Sequence, residues 1–172
     1  MISLQPATPA DYPDIIALTN RAFRDTSAEG SWNVEDMIEG ERVNDSLLRD
    51  DVAAPGANLL IWRGADGEHL GHVRLDAAPD GVWFLGLLTV RPDRQASGLG
   101  RKLLAAAEDW ARERGAREMR MTVVHQRETL IAWYVRRGYE LTGETKPFPY
   151  GDTRFGRPTR PDLFFDVLQK AL

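Results

Sequence analysis

Two short stretches carry residue types and spacings that can do chemistry. The first runs Leu88-Thr89-Val90-Arg91-Pro92-Asp93-Arg94-Gln95-Ala96-Ser97-Gly98-Leu99-Gly100-Arg101-Lys102, apolar residues of a strand that give way to a glycine turn and then a helix. A helix start leaves backbone N–H groups without intrahelical partners, and the helix dipole adds partial positive charge there, so anions bind readily. Gly98 and Gly100, lacking Cβ atoms, let the backbone approach a diphosphate closely, and Arg94, Arg101 and Lys102 add charge at the same end. The second stretch, Trp133-Tyr134-Val135-Arg136-Arg137-Gly138-Tyr139, sets a phenol on a helix and follows it with a glycine stop. A phenol of pKa ~10 is a proton donor at neutral pH.

The elements that must position these groups can be read from periodicity and punctuation. Ile2–Leu4 reads as a first strand, and Thr8-Pro9 opens a helix whose apolar face is Ile15, Ile16, Leu18 and Phe23. Ser31–Glu35 is read as the start of a second helix and Ser46–Asp51 as a further helical turn. Ala57–Trp62 and Leu70–Leu75 are strands joined by the Asp66-Gly67 hairpin step. Val82–Val90 is a nearly unbroken apolar run, the pattern of a strand covered on both faces. Leu99, Leu103, Ala107 and Trp110 recur at helical spacing up to Gly115, and Arg120–Val124 reads as another strand. Leu130, Ile131, Tyr134 and Val135 mark the next helix, Tyr139–Thr142 and Leu163–Leu168 the last strands, with a loop from Pro147 to Pro158 between them. The class is α/β on one central sheet, and 172 residues are expected to form a single domain (1–172).

Composition narrows the chemistry. The chain has no cysteine, which removes disulfides, thiolate zinc sites and cysteine nucleophiles. His69 and His72 are three apart, a spacing that on a regular strand points them to opposite faces, and no metal site is expected. A net charge of −4 argues against general nucleic-acid binding. The N-terminus lacks the basic and apolar regions of a signal peptide, and no apolar run approaches the ~20 residues of a membrane span, so a soluble cytoplasmic protein is the expectation. The glycine turn fits two common phosphate loops poorly: Leu103 occupies the third-glycine position of a dinucleotide fingerprint, and Gly100 is followed by Arg101-Lys102-Leu103 rather than Lys-Ser/Thr.

Gln95-Ala96-Ser97-Gly98-Leu99-Gly100 resembles the Q/R-x-x-G-x-G/A loop of the GNAT superfamily of acyl-CoA-dependent N-acetyltransferases, and Leu88–Pro92 its preceding strand. Trp133–Tyr139 resembles the second signature of that family, an aromatic-Tyr-x-x-x-Gly-aromatic run. The resemblance implies a mostly antiparallel mixed sheet with helices on both faces and a V-shaped splay between two parallel strands, here Val82–Val90 and Arg120–Val124. It implies acetyl-CoA as co-substrate, with Leu88, Thr89 and Val90 pairing through main-chain groups with the pantetheine arm. The N–H groups of Gln95, Ala96, Ser97, Gly98, Leu99, Gly100 and Arg101 would hold the diphosphate, and Tyr134 would be the general acid protonating the departing thiolate. Two positions depart from the family pattern: Arg127 replaces an asparagine that contacts CoA, and residues 83–88 hold no acid to serve as base. Glu35, His72 and His125 are the alternatives for that proton.

By the same resemblance the acceptor is selected by segments 24–49 and 146–161. Within them Trp32, Glu35, Tyr150 and Arg154 are candidate substrate contacts, Arg154 or Arg157 as a carboxylate clamp for an amino-acid-like amine. The expected function is direct transfer of acetyl to a primary amine of a small molecule. The alternative from another class is a catalytically weak acyl-CoA-binding or sensing module. A homodimer is expected by analogy with the family alone.

Overall fold

Thr8 starts the first helix through a reciprocal capping arrangement, its N–H donating to the Asp11 carboxylate at 2.8 Å while the Asp11 N–H donates to the Thr8 carbonyl at 2.8 Å. Pro9–Asp11 forms a single 3₁₀ turn that feeds α1 (Tyr12–Arg24). A computed structural model describes residues 2–24, 37–93 and 98–172 of the chain. The expected helix start at Ser31–Glu35 lies outside them. The described elements are β1 (Leu4–Pro6), α1, β2 (Ile38–Glu39), α2 (Asp45–Ala53), β3 (Ala57–Arg63), β4 (His69–Asp76), β5 (Val82–Val90), α3 (Leu99–Arg112), β6 (Glu118–Val124), α4 (Glu128–Val135), β7 (Glu140–Pro147), β8 (Arg157–Pro158) and β9 (Phe164–Ala171).

Seven strands make one sheet in the order β1-β3-β4-β5-β6-β9-β7. Every neighbouring pair is antiparallel except β5 and β6. That parallel pairing covers only Val82–Phe84 against Glu118–Arg120, after which no ladder joins the two strands. The helices divide between the faces. Tyr12, Ile15, Leu47 and Leu48 of α1 and α2 pack with Leu59, Ile61 and Leu87 on one side. Leu99, Leu103, Leu130 and Tyr134 of α3 and α4 pack with Leu60, Val73, Leu85 and Val90 on the other. The mixed α/β architecture, mostly antiparallel with a splayed parallel pair and helices on both faces, is the one expected. A second small sheet, β2 with β8, was not legible in the sequence; it pairs Ile38 with Pro158 and Glu39 with Arg157.

A bulge in β5 shapes the splay. Against β4, His72 faces Thr89 and Arg74 faces Gly86, so the β5 residues Leu87 and Leu88 share the single opposite residue Val73. Leu87 takes φ +51°, a left-handed conformation that costs a branched side chain energy. The extra residue flips the alternation: Trp83 and Leu85 face the α3 side, Leu87 the α1 side, and Leu88 and Val90 the α3 side again.

A second bulge corrects one expectation. His69 and His72 do not point to opposite faces; their rings meet with Nε2 of His69 3.1 Å from Nδ1 of His72. Trp62 pairs with Gly71 and Arg63 with His69, so Leu70 is the extra residue that changes the parity of β4 between the two histidines. Among the described residues, no group of three or more His, Cys, Asp or Glu is arranged to hold a metal ion. No described helix is long and apolar enough to cross a membrane.

Candidate active site

Where β5 and β6 part, a cavity of about 380 Å³ opens through the sheet. Leu85–Leu88 form one side and Met121–Val124 the other. Arg127, Leu130 and Tyr134 of the α4 segment close it on one face, and Phe23, Arg24, Ile38 and Arg42 stand on the α1 side. Phe148 and Phe165 complete an apolar wall, their rings stacked 5.6 Å apart.

Tyr134 is 5% exposed and packs edge-on against Trp133 and Tyr139, at 5.0 and 5.7 Å between ring centroids. Both neighbours are themselves fixed. Arg137 lies over the Trp133 ring at 4.1 Å. The Tyr139 hydroxyl donates to Glu108 Oε2 at 2.8 Å, and Lys170 reaches the same buried carboxylate at 2.9 Å, tying α3 to β9. The aromatic–tyrosine run with its glycine stop therefore does local work: Gly138 ends α4 and turns Tyr139 back beneath Tyr134. Burial pushes the Tyr134 phenol well above its ordinary pKa, and the positive charge of Arg127 pulls it part of the way back. At neutral pH the group is a protonated donor facing the cavity. Arg127 is itself 9% exposed and precedes the first turn of α4 on the same cavity wall.

The glycine turn leads into α3 as its residue types require. Gly98 takes φ +71°, and its carbonyl accepts from the Lys102 N–H at 3.1 Å to start the helix. Among the described residues a Cβ on Gly98 would meet nothing closer than Arg101 at 3.7 Å, and a helix start presents N–H groups that suit an anion. Leu99 and Gly100 are buried in the first turn and Arg101 is exposed. Gln95, Ala96 and Ser97, with Arg94, lie outside the described residues, as do Trp32 and Glu35.

The other sequence candidates are distributed unevenly. Leu88 lines the cavity, whereas Thr89 and Val90 pair with His72 and Gly71 of β4. The unpaired stretch of β5 that faces β6 begins at Leu85, nearer the parallel ladder than the residues named from sequence. Tyr150 does not line the cavity; its hydroxyl donates to the Arg160 carbonyl and accepts from the Leu163 N–H, both at 2.8 Å, pinning the loop. Arg154 is held by both oxygens of Asp152, with Nη2 to Oδ2 at 2.7 Å, also away from the cavity lining. His125 stacks on Phe164 and sits 2.7 Å from Asp166, outside the lining residues. His72 is fully buried between Thr19 Oγ1 at 2.7 Å and His69, and burial holds its pKa well below the usual imidazole value. Sequence reasoning did not single out Arg24 or Arg42 as site residues. Their one signal was their place in the segment following the first helix.

The acetyltransferase (GNAT) family model matches residues 13–139. The chain is 30% identical over 164 residues to the L-methionine sulfoximine/L-methionine sulfone acetyltransferase of Pseudomonas aeruginosa, covering 90% of this chain and 88% of that protein. It is 33% identical over 140 residues to the mycothiol acetyltransferase of Clavibacter sepedonicus, covering 80% of this chain but 42% of that protein, so it spans less than half the length of this relative. A GNAT family acetyltransferase structure from Elizabethkingia anophelis with acetyl-CoA bound superimposes with a TM-score of 0.67 at 13% identity, covering 99% of this chain and 98% of that one. With the splayed strands, the bulge beside them and the tyrosine facing the gap, the match over most of its length establishes that this chain belongs to the GNAT acetyltransferase family.

Proposed function

We propose that the protein transfers the acetyl group of acetyl-CoA directly to the primary amine of a small molecule, amino-acid-like in character. The observation that carries the reading is the cavity at the parting of β5 and β6, with β5 main chain beyond the parallel ladder along one side and Tyr134 on its wall. An extended pantetheine arm can hydrogen-bond to a strand edge as an added strand does, and Leu85 and Gly86, just past the end of the β6 ladder, offer such an edge. The helix start at Gly98–Arg101 offers the anion site for the diphosphate. The relative that acts on methionine sulfoximine and methionine sulfone supports an amino-acid-like acceptor.

The chemistry follows in one balanced sequence. The neutral amine attacks the thioester carbonyl carbon, the C–S bond breaks, and the sulfur takes the phenolic proton of Tyr134. The proton lost by the nitrogen returns to the phenolate through solvent. Burial holds the Tyr134 phenol well above its ordinary pKa, so it keeps its proton until the thiolate develops, and a positioned proton transfer contributes typically 10²–10⁴-fold. Arg127 adds positive charge beside the developing thiolate. Among the described lining residues none is a carboxylate or an imidazole, so no base for the ammonium stands on the described cavity wall.

The test is release of CoA thiol from acetyl-CoA with a panel of primary amines. Amine-dependent thiol is expected; tight CoA binding with no thiol release for any amine would overturn the reading in favour of a binding module. Tyr134→Phe should lower turnover at least tenfold while changing CoA affinity less than about threefold. Near-normal turnover in that variant removes Tyr134 from the acid role.

A further inference from the structure

On the acetyltransferase reading, the acceptor must reach the thioester from the cavity face opposite Tyr134, which is the α1 face. Two cationic side chains line the cavity there, Arg24 at the end of α1 and Arg42 on the segment that crosses it. Both are held in place. The Arg24 Nε–H donates to the Gly40 carbonyl at 2.8 Å. A Cβ on Gly156 would stand 3.2 Å from the Arg24 guanidinium and 2.6 Å from the Glu39 carbonyl, so the glycine there, at φ +111°, leaves room for the arginine beneath the β2–β8 pair. Arg42 is fixed through its backbone, whose N–H donates to Asn20 Oδ1 at 2.7 Å. The same Asn20 oxygen accepts from the Val43 N–H at 3.1 Å, and its Nδ2 donates to the Val43 carbonyl at 2.9 Å. Asn20 and Arg24 are one turn apart on α1, so a single helical turn holds Arg24 and the backbone of Arg42, and both side chains line the cavity. Beyond them the walls are apolar: Ile38, Phe148 and Phe165.

We propose that Arg24 and Arg42 read the carboxylate of the acceptor, that Asn20 positions Arg42, and that the acceptor is an α-amino acid with an apolar side chain. A guanidinium fork matches a carboxylate in shape and charge, and charge-assisted hydrogen bonds are the strong ones. The apolar walls take a side chain such as that of methionine or phenylalanine. This places the carboxylate recognition on α1 and residue 42, whose side chains line the cavity, rather than on Arg154 of the distal loop, whose side chain does not.

The test compares acceptors in pairs that differ only in the carboxylate: L-methionine with 3-(methylthio)propylamine, and L-phenylalanine with phenethylamine. For the wild-type protein kcat/KM, referred to the concentration of neutral amine, should favour the amino acid of each pair by at least tenfold. In Arg24→Met and in Arg42→Met that ratio should fall to within about threefold of one, through KM for the amino acid; Asn20→Ala should lower it part of the way. A wild-type ratio near one, or a ratio the variants leave unchanged, overturns the inference while the acetyltransferase reading stands on the turnover of the amines. If the methionine variants do not fold, Arg24→Lys and Arg42→Lys decide in their place, since they keep the charge but lose the fork: a reduced ratio supports the inference and an unchanged one overturns it. If no amine of any kind releases thiol, the acetyltransferase reading falls, and calorimetric binding of N-acetyl-L-methionine to the CoA-loaded protein decides this one. Binding weakened at least tenfold in the arginine variants supports it; absent or unaltered binding overturns it.

Discussion

At the scale of single residues, burial decides which groups can exchange protons. Tyr134 keeps its proton because its environment disfavours the phenolate, which suits an acid. With no titrating base on the described cavity wall, kcat/KM should rise tenfold per pH unit below the pKa of the acceptor amine and should shift with that pKa when the acceptor is changed. A midpoint that stays fixed near neutrality across acceptors identifies an enzyme base instead, with Glu35 and His125 the first to substitute. His72 makes a prediction about stability. Its folded pKa lies well below the unfolded value of ~6.5, because desolvation and the neighbouring His69 both disfavour the imidazolium. The unfolded chain therefore binds the proton first, and stability present above pH ~6.5 is lost as pH falls through that value, with a limiting slope of about 1.4 kcal/mol per pH unit for one proton. Urea midpoints measured between pH 7.5 and 5 should show this slope in the wild type, and the part due to His72 should vanish in His72→Gln. Identical slopes in both proteins would contradict the assignment.

At the scale of elements, the bulges in β4 and β5 do what no single side chain can. Leu87 sits in a left-handed conformation that costs on the order of 1–2 kcal/mol, yet its side chain is buried against α1 and α2. Deleting a buried leucine side chain costs about 2–5 kcal/mol, more than the strain relieved, so Leu87→Gly should destabilise the fold by roughly 1–3 kcal/mol in chemical denaturation. A stabilised variant would mean that the strain outweighs the packing. The same bulge lies just past the point where the β5–β6 ladder ends, so the strained leucine and the opening beside it are one construction. Apolar composition made β5 easy to read as a strand. The extra residue was not legible, because Leu87 and Leu88 look alike and only the pairing with Val73 shows that one is supernumerary. The error over His69 and His72 has the same origin: spacing predicts faces only on a regular strand, and Leu70 breaks the regularity.

At the scale of the whole molecule, the sheet joins two cores, and the cavity passes between them through the parted strands. A ligand lying there ties β5, α3 and α4 together only in the folded state. Coenzyme A at one hundred times its dissociation constant should therefore stabilise the protein by about 2.7 kcal/mol, read as a shift of the urea midpoint. Gly98→Val should reduce that gain, since a branched residue at φ +71° must rebuild the start of α3. An equal gain in the variant would separate the glycine turn from the cofactor.

The sequence by itself carried the two motifs by which this protein resembles its family. Strand, glycine turn and helix are contiguous, as are Tyr134, its helix and the glycine that ends it, so local chemistry writes both motifs in the order they are used. The gathering of Arg24, Arg42, Phe148 and Phe165 around the cavity was decided only by tertiary structure. Arg24 and Arg42 line one cavity because Asn20 clamps a passing segment onto α1, and Phe148 meets Phe165 because β7 pairs with β9 in a register that sets Pro147 opposite Phe164. No periodicity records such meetings, since each joins residues that the chain keeps apart and only packing brings into contact.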